Sequence, residues 1–354
     1  MNSLVVPKGL EGVIVDRTEI STTDQSGNLL YRGYRVVDLV EKLDFESVAL
    51  LVLTGKIPDP EARSRFSDLL KTNSVIEGKV REIIRVLREP NIMNNLRSIV
   101  SLYPYKNRKN LDLLIEIASK FPSIIFYSDV AIRGWRDIEE TGGTYAERLY
   151  RILTGRDDRE NSKFFEKLLI MYMEHEFNSS TFALRVTAST LADPVCGITS
   201  ALSALKGPLH GGANSEVLDY LLKFKSEDEA IRFIENKLSR KEKIMGFGHR
   251  VYKVKDPRAQ YIKSQLKKLH GYNSVMKYAE SIESYMWQER HIPVNLDFYG
   301  ALYMNALGIE ERFFLPVFAS ARVFGWSAHY IEQVSSNKII RPQAQYVGPV
   351  GLKL

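Results

Sequence analysis

Three of the six histidines lie in segments that are unlike the rest of the 354-residue chain. His210 stands in LKGPLHGGAN and His249 in IMGFGHRVYKVKDPR, and both segments are rich in glycine. Glycine allows the backbone to turn sharply and to come close to a ligand. Two histidines on such turns predict a site where imidazoles face a bound molecule. His175, in HEFNSST, is a third candidate.

A carboxylate among apolar and aromatic residues is the next candidate. Asp297 lies in PVNLDFYGALYMNALGI. Apolar surroundings raise the pKa of a carboxylate, and a carboxylate with a raised pKa can serve as a general base. The alternative is structural, because aspartate also caps the N-termini of helices. The segment alone leaves both interpretations open.

Three arginines indicate an anionic ligand. They are Arg258 in KDPRA, Arg322 in FASARVFGW and Arg341 in IIRPQAQY. Arg322 lies among apolar residues, where an unpaired guanidinium would be unfavourable. It therefore requires either an acidic side chain or a substrate carboxylate as its partner. The planar guanidinium matches a carboxylate through two parallel hydrogen bonds.

Several other chemistries lack part of their motif. HGGA is similar to the HGGG oxyanion segment of α/β-hydrolases, but the chain has no G-x-S-x-G nucleophile elbow. GFGHRV lacks the third glycine of a dinucleotide-binding motif and follows no clear strand. There is no Walker A, H-E-x-x-H or C-x-x-C motif. The adjacent His175 and Glu176 would not face the same way on a helix, so we predict that the protein has no metal site.

Most of the chain outside these segments has the periodicity of helices. Short strands are predicted within residues 11–33, where Val13 and Val15 alternate with Ile14 and Asp16. We find no βαβ alternation, so the predicted class is mainly α. Helices are predicted at residues 36–43, 60–70 with Asp59 as N-cap and Pro60 at N1, 80–87, 111–118, two or three within 161–205, and then 215–240, 257–269, 273–287, 300–308 and 311–334.

The composition is typical of a soluble globular protein, with 44% hydrophobic and 26% charged residues. The net charge is +6, but lysine and arginine alternate with acidic residues, which favours a mixed-charge surface over a nucleic-acid-binding one. Apolar runs fall short of the roughly 20 residues of a membrane helix, and the N-terminus lacks a signal-peptide pattern. We expect a cytoplasmic protein without membrane contact. The lone Cys196 is expected to be a buried structural residue.

Taken together, the segments resemble the citrate synthase family in its bacterial and archaeal dimeric form. HEFNSSTFALRVTAST, ALKGPLHGGAN, GFGHRVYK, DPRA, N-x-DFY and IIRP occur in that family's order and spacing, and the likeness runs from about Gly9 to Gly348. The resemblance implies a mainly α fold with short N-terminal strands. It also implies a large helical domain of residues 1–212 and 308–354, with a smaller helical domain of residues 213–307 inserted in it.

The resemblance also implies roles for individual residues. His210 would hydrogen-bond the thioester oxygen of acetyl-CoA, Asp297 would take a proton from its methyl group, and His249 would donate to the carbonyl of oxaloacetate. No metal or organic cofactor is implied, since the coenzyme A thioester is a substrate. The implied oxaloacetate ligands are His175, Arg258, Arg322 and, from the neighbouring subunit of a homodimer, Arg341. The implied CoA contacts are Lys243, Ile244, Met245, Gly246 and Phe247 for the adenine and Lys253 for the phosphates.

The resemblance implies condensation of acetyl-CoA with oxaloacetate, and two alternatives stay open. One is a 2-methylcitrate synthase that uses propionyl-CoA at the same residues, and the other is a non-catalytic CoA-binding paralogue. Three departures from the family pattern bear on this choice. Gly300 and Ala301 stand where Ser-Gly is usual, Gln343 stands where many relatives have a second arginine, and residues 121–150 fit the pattern poorly.

Overall fold

The chain is mainly α-helical in a computed structural model that describes residues 5–104, 109–134, 142–269 and 273–353. The helices pack around one continuous apolar core. Their bounds are α1 Val36–Lys42, α2 Phe45–Thr54, α3 Pro60–Thr72, α4 Gly78–Leu87, α5 Ile92–Ser101, α6 Asn110–Arg133, α7 Tyr145–Thr154, α8 Arg159–Tyr172, α9 Ser179–Ser189, α10 Pro194–Leu205, α11 Ala213–Leu221, α12 Glu227–Ser239, α13 Pro257–Leu266, α14 Asn273–Arg290, α15 Leu296–Ala306 and α16 Phe314–Ser335.

A small antiparallel sheet precedes the helices, in the order β1 (Ser21–Thr23), β2 (Leu29–Tyr31) and β3 (Tyr34–Arg35). The prediction of short strands before residue 33 is confirmed for β1 and β2, but it is wrong at residues 13–15. That segment follows two backbone turns and makes no strand pair, and Ile14 is 91% exposed. Alternation of apolar residues does not form a strand without a partner strand beside it.

Aspartate followed by proline opens three of the helices. Asp59 accepts a hydrogen bond from the backbone N–H of Ala62 at 2.7 Å, which confirms the predicted start of α3. Asp193 and Asp256 cap α10 and α13 in the same way. Proline suits the first helical position because its fixed φ is helical and no backbone N–H is needed there.

Helix α16 is the central element of the core. It packs against α2, α6, α8, α9 and α10, and most of its side chains, including Trp326, are buried. Arg322 is one of the few charged residues on this helix and is also buried. A buried guanidinium in the central helix is unfavourable unless it is placed for a ligand or a counter-charge. Arg322 is therefore held within the core, on the helix that most of the neighbouring helices contact.

A second group of helices packs mainly with itself. Helix α15 packs against α11 and α13, and α12 packs against α14. The contacts of this group with the remaining helices run through α1, α8 and α16. This pattern is compatible with the inserted domain expected at residues 213–307, whose bounds stay a prediction. Part of the divergent segment 121–150, residues 135–141, lies outside the described residues, and so does His270.

The prediction that Cys196 is buried is wrong, because its side chain is exposed. Helix α10 buries Val195, Ile198 and Leu202, which follow one another at helical spacing on one face. Cys196 lies beside that face. Partial burial and the nearby Asp193 carboxylate raise the pKa of its thiol, so the thiol is not activated.

Among the helices that the structure describes, none is both long enough and apolar enough to cross a membrane.

The carboxylate of Glu166 predicts a specific dependence of stability on pH. Glu166 accepts a hydrogen bond from the backbone N–H of Phe45 at 3.0 Å, close to the acidic Glu46 and Asp44, and burial raises its pKa to about 7 from 4.5. The folded protein therefore retains a proton that the unfolded chain releases. As a consequence, the free energy of unfolding falls as the pH rises from 4.5 through 7.

We expect Glu166→Gln to stabilise the protein by about 1–2 kcal/mol at about pH 8 and to change little at about pH 4, because the neutral amide needs no proton. Urea unfolding at fixed protein concentration measures the effect. Glu160→Gln, at an exposed position of the same helix, is the matched control. Equal effects of Glu166→Gln on stability at both pH values would contradict the raised pKa of Glu166.

Candidate active site

His175 lies in the connection between α8 and α9. Its side chain is buried, and Nε2 is 3.2 Å from the hydroxyl of Tyr252. The ring lies edge-on to that of His249, with 4.9 Å between centroids. Burial, and after it the charge of Arg258, hold the pKa of His175 well below its usual value. A neutral imidazole therefore faces the same space as His249.

The residue before His175 anchors this connection in the core. Glu174 is fully buried; its Oε1 accepts hydrogen bonds from Ser21 and lies 2.9 Å from Nε2 of His329. Burial opposes its ionisation, but His329 lowers its pKa below the usual value. Glu176, on the other side of His175, has a left-handed φ of 48°. Such strain in a non-glycine residue persists only where the surroundings fix the backbone firmly.

His210 lies in the turn between α10 and α11. Its Nε2 is 2.9 Å from Oγ of Ser180, which also accepts a hydrogen bond from the indole of Trp326 and donates to Asn178. Burial, followed by the charge of Arg322, lowers the pKa of His210 to about 4. Ser180 was not found from the sequence, since a serine in an Ala/Ser/Thr-rich segment gives no distinguishing signal.

The glycine after His210 is required by close packing. A Cβ at Gly211 would lie 2.3 Å from the carbonyl oxygen of Leu205 and 2.5 Å from Cδ1 of Leu315. Real Cβ atoms do not approach other atoms so closely, so this turn excludes every residue with a side chain.

His249 has a hydrogen-bonding pattern that fixes its tautomer. The backbone N–H groups of Val251 and Tyr252 donate to Nδ1 at 3.0 and 3.2 Å, so the neutral ring carries its hydrogen on Nε2. Burial, followed by the charge of Arg258, lowers the pKa of His249 to about 4. The Nε2 atom lies 3.4 Å from a terminal nitrogen of Arg258. Both groups are donors, so this position is suited to an acceptor supplied by a ligand.

Arg258 is held by the carboxylate of Asp256. The carboxylate accepts from Nε and from a terminal nitrogen of Arg258, at 3.1 and 2.9 Å. Asp256 also accepts from the backbone N–H of Leu296 at 3.1 Å, which ties the start of α13 to the start of α15. Burial alone would lower the pKa of Arg258, but Asp256 raises it above the ordinary value. Asp256 is thus a positioning residue that sequence reasoning missed.

Asp297 lies in the first turn of α15, and the interpretation of this residue as the helix cap is wrong. The cap is Asn295, whose Oδ1 accepts from the backbone N–H of Asp297 at 3.1 Å. The carboxylate of Asp297 is therefore not used as a helix cap and can act on a ligand. Burial raises its pKa to about 6, although Arg258 and Arg322 act in the opposite direction.

A short backbone bridge joins the segment of His249 to that of Asp297. Phe247 pairs with Val294, the N–H of Gly248 donates to Pro293, and the side chain of Asn295 donates to the carbonyl of Gly248. These bonds fix the two segments relative to each other. These hydrogen bonds thereby set the distance between the segments that carry His249 and Asp297.

Arg322 is buried, and its Nε donates to the backbone carbonyl of Tyr172 at 2.7 Å. Its guanidinium carbon lies 4.4 Å from the centre of the Phe318 ring. Burial lowers its pKa to about 10. Within the part of the chain that the structure describes, no acidic side chain forms an ion pair with Arg322. Of the two partners expected from the sequence, the ligand carboxylate is the one that the structure favours.

His210 and Asp297 face one small pocket. The residues that line it are His210, Gly211, Asn214, Asp297, Phe314, Leu315 and Phe318. The pocket therefore combines a neutral imidazole and a carboxylate of raised pKa with an apolar wall. Asn214 ends the glycine-rich segment LKGPLHGGAN but was not identified from the sequence, and neither were Phe314 and Phe318, which lie in an apolar helix.

The expected CoA-binding segment is next to these residues. Ile244 and Gly246 are buried, and a Cβ at Gly246 would lie within 3 Å of Phe298 and Val217. Met245 accepts a hydrogen bond through its carbonyl from Tyr220, and Phe247 packs on Phe298. The cations at the two ends of the segment, Lys243 and Lys253, are exposed, and Lys253 reaches the carbonyl of His249 at 3.4 Å.

Arg341 is not brought to the site. It lies exposed in the extended segment 336–353 that follows α16. Across the described ranges, no group of three or more His, Cys, Asp or Glu side chains is arranged to hold a metal ion.

Comparison with known proteins identifies the family. The family model described as citrate synthase, C-terminal domain, matches residues 9–343. The chain belongs to the citrate synthase family. A 2-methylcitrate synthase of Shewanella oneidensis is 36% identical over 96% of this chain and 94% of the relative. Citrate synthase 2 of Bacillus subtilis is 34% identical over 98% of this chain and 97% of the relative.

Solved structures of the family have the same fold. A citrate synthase of Thermotoga maritima superimposes with a TM-score of 0.92 and is 36% identical, covering 99% of this chain and 98% of its own. A citrate synthase of Thermoplasma acidophilum, solved in ternary complex with carboxymethyl coenzyme A and oxaloacetate, has a TM-score of 0.90 and is 31% identical, covering 98% and 97%. The predicted fold class, mainly α with short N-terminal strands, is confirmed.

We expect the rings of His210 and His249 to titrate near pH 4, below the usual 6.5. Because the unfolded chain binds these protons more readily, the free energy of unfolding should fall as the pH drops below 6.5. NMR titration of the ring signals, assigned with His210→Gln and His249→Gln, measures both values. A midpoint near 6.5 for either ring would contradict the burial of that site.

Proposed function

We propose that the protein condenses acetyl-CoA with oxaloacetate and water to give citrate and CoA. The main support is the shared pocket of His210 and Asp297, together with two donors on His249 and Arg258 that lie 3.4 Å apart and can both bind one acceptor. Family members are condensing acyltransferases, and the Thermoplasma acidophilum relative was solved with oxaloacetate and a CoA analogue. His210 and Asp297 would thus activate the thioester, while His249 and Arg258 would bind the dicarboxylate.

The first step would remove a proton from the methyl carbon of acetyl-CoA. Asp297 is the proposed base, since a pKa of about 6 makes it a stronger base than an ordinary carboxylate while leaving it ionised at neutral pH. Charge develops on the thioester oxygen as the proton leaves, and a positioned donor must stabilise it. His210 is the proposed donor.

The second step would form the carbon–carbon bond. The enol carbon attacks the ketone carbon of oxaloacetate, and the ketone oxygen gains a proton as the bond forms. His249 is suited to that donation because its hydrogen is on Nε2. Water then hydrolyses the citryl thioester and releases CoA. Neutral donors suit both steps, because a hydrogen bond to developing negative charge strengthens as the charge grows.

The carboxylates of oxaloacetate would be held by His175, Arg258 and Arg322. Arg258 is oriented by Asp256, and Arg322 has no acidic ion-pair partner in the described part of the chain. Each arginine can therefore offer a fork of parallel donors to a carboxylate. We propose no metal or organic cofactor, since the acid–base steps use only these side chains.

The CoA moiety would bind along the segment between α12 and α13. The backbone of residues 243–247 turns at Gly246, whose φ is +87°, and this turn would hold the adenine. Lys253 is exposed, and its hydrogen bond to the backbone carbonyl of His249 leaves its charge able to meet phosphates as well. Lys243 and Lys253 would thus supply positive charge to the anionic groups of CoA.

We propose a homodimer in which Arg341 reaches the site of the partner. Its segment is extended and presents apolar side chains to solvent, which is unusual unless another surface covers them. The exposed apolar side chains are Ile339 at 58%, Tyr346 at 70%, Val347 at 89%, Val350 at 82% and Leu352 at 82%. We also place the protein in the cytoplasm, because its single cysteine gains nothing from an oxidising compartment. We propose no nucleic-acid or membrane partner, because its charges are mixed along the chain and its apolar runs are short.

Propionyl-CoA is the second candidate substrate. The observation in its favour is the 2-methylcitrate synthase of Shewanella oneidensis, whose identity of 36% is as high as that of the citrate synthases reported above. The same base and donors would serve for both acyl groups. A purely CoA-binding role is less well supported, because it would not require a carboxylate of raised pKa beside a neutral imidazole.

We expect the purified protein to release free thiol from acetyl-CoA with oxaloacetate at a higher kcat/KM than from propionyl-CoA. Asp297→Ala and His210→Ala should each lower kcat by about 10³-fold or more, because proton transfer and charge stabilisation are lost. Asp59→Asn, at an exposed helix cap, is the control that should stay active. A kcat/KM that favours propionyl-CoA would identify the second substrate, and CoA binding without any thiol release would support the non-catalytic role.

We expect Arg341→Ala to lose most activity and to regain it when paired with an inactive partner. In a heterodimer with Asp297→Ala, one site has its own Asp297 and receives Arg341 from the partner. Heterodimers isolated through two different affinity tags after co-expression should therefore have about half of the wild-type activity, and an unselected random mixture about a quarter. Pairing Asp297→Ala with His210→Ala should restore nothing, because both residues face one pocket in a single chain. No recovery with Arg341→Ala would show that Arg341 does not act across subunits.

A further inference from the structure

Tyr172, the last residue of α8, contacts several parts of the site although it does not line the pocket. Its side chain is fully buried. Its hydroxyl accepts a hydrogen bond from Nδ2 of Asn214 at 2.8 Å, and its ring packs on Phe318 at 4.8 Å between centroids. Its backbone carbonyl accepts from Nε of Arg322 at 2.7 Å. One residue thus supports two members of the pocket wall and the buried arginine.

The hydroxyl of Tyr172 also explains a departure from the family pattern. A Cβ at Gly300 would lie 2.5 Å from this hydroxyl, whereas the ring carbon Cζ would be 3.5 Å away and Asn214 Nδ2 3.9 Å away. The Cβ of the serine usual in the family at this position would therefore collide with the hydroxyl oxygen of Tyr172. Tyr172 and Gly300 are compatible with each other because one fills the space that the other leaves empty.

The position of this pair places it next to the proposed base. Gly300 follows Asp297 by three residues in α15, so the two lie on the same face of the helix. The charge of Asp297 is close enough to Tyr172 to contribute to the raised pKa of its hydroxyl, after burial. Asn214 closes the arrangement, since it binds the hydroxyl and lines the pocket.

We propose that Tyr172 is a positioning residue that fixes Asn214 in the wall of the acyl pocket, with Gly300 as its steric partner, and thereby determines which acyl chain the enzyme prefers. This inference rests on the proposed function. The amide of Asn214 can rotate freely unless one end is bound, and the hydroxyl binds its Nδ2 end. A fixed wall discriminates against an extra methylene more strongly than a loose one, because the larger substrate must then displace packed atoms.

A single substitution tests the hydroxyl of Tyr172 independently of its ring and its backbone. Tyr172→Phe retains the ring contact with Phe318 and the carbonyl that orients Arg322, and it removes only the bond to Asn214. We expect KM for acetyl-CoA to rise about three- to tenfold, kcat to change less, and the ratio of kcat/KM for propionyl-CoA to that for acetyl-CoA to rise at least about threefold. Thiol release with each acyl-CoA at saturating oxaloacetate measures these quantities.

A double mutant tests the steric pairing. Gly300→Ala alone should lower kcat/KM for acetyl-CoA by about tenfold or more, because the new Cβ displaces the hydroxyl and Asn214 with it. Gly300→Ala with Tyr172→Phe should return to within about threefold of Tyr172→Phe, since the nearest ring atom is then at an ordinary contact distance. If Gly300→Ala does not fold, recovery of folding in the double mutant tests the same contact.

Tyr150→Phe is the matched control, because it also removes a hydroxyl hydrogen bond, from Tyr150 to the carbonyl of Leu307 at 2.9 Å. It should lower the melting temperature without changing the acyl-CoA ratio. If Tyr172→Phe behaves in the same way as this control, or if the double mutant is no better than Gly300→Ala, the proposal is wrong. A wild-type protein that releases no thiol from either acyl-CoA would overturn the proposed function itself, and this inference with it.

Discussion

One buried carboxylate, that of Asp256, holds the two halves of the site together. It accepts hydrogen bonds from the backbone and the guanidinium of Arg258 and from the backbone N–H of Leu296. A buried charge is tolerated only when it is paired and fully hydrogen-bonded, and this one meets both conditions. Because the same group caps α13 and binds the first residue of α15, a displacement of Arg258 is also a displacement of Asp297. This ion pair therefore helps to set the distance between Arg258 and Asp297, together with the packing of α13 on α15.

Burial shifts the pKa values of the histidines and of the aspartate in the site in opposite directions. Loss of water lowers the pKa of His210 and His249 to about 4 and raises that of Asp297 to about 6. The nearby arginines strengthen the first effect and weaken the second. Neutral donors and a moderately strong base thus coexist at one pH. Burial is the main cause of both shifts, and the positive charges of Arg258 and Arg322 keep the pKa of Asp297 from rising further.

Local signals in the sequence were sufficient for much of this architecture. Asp59 before a proline identified the start of a helix, and glycines around the histidines identified two of the segments that meet at the site. The errors have a common origin, since the capping role of Asp297 and the burial of Cys196 both depend on neighbours that the segment does not contain. The contributions of Ser180 and Tyr172 are of the same kind. Their partners lie 30 to 150 residues away along the chain, so only the folded structure brings them together.

The buried charge of Arg322 also connects substrate supply with the persistence of the protein. Its guanidinium is buried in the central helix, and burial lowers its pKa to about 10 although the charge of Glu174 acts in the opposite direction. A dicarboxylate would add counter-charge and would bind only the folded chain, which shifts the folding equilibrium toward the native state. The substrate-free protein is thus the form most open to heat and proteases. A cell short of the dicarboxylate would hold less of the enzyme even at a constant rate of synthesis.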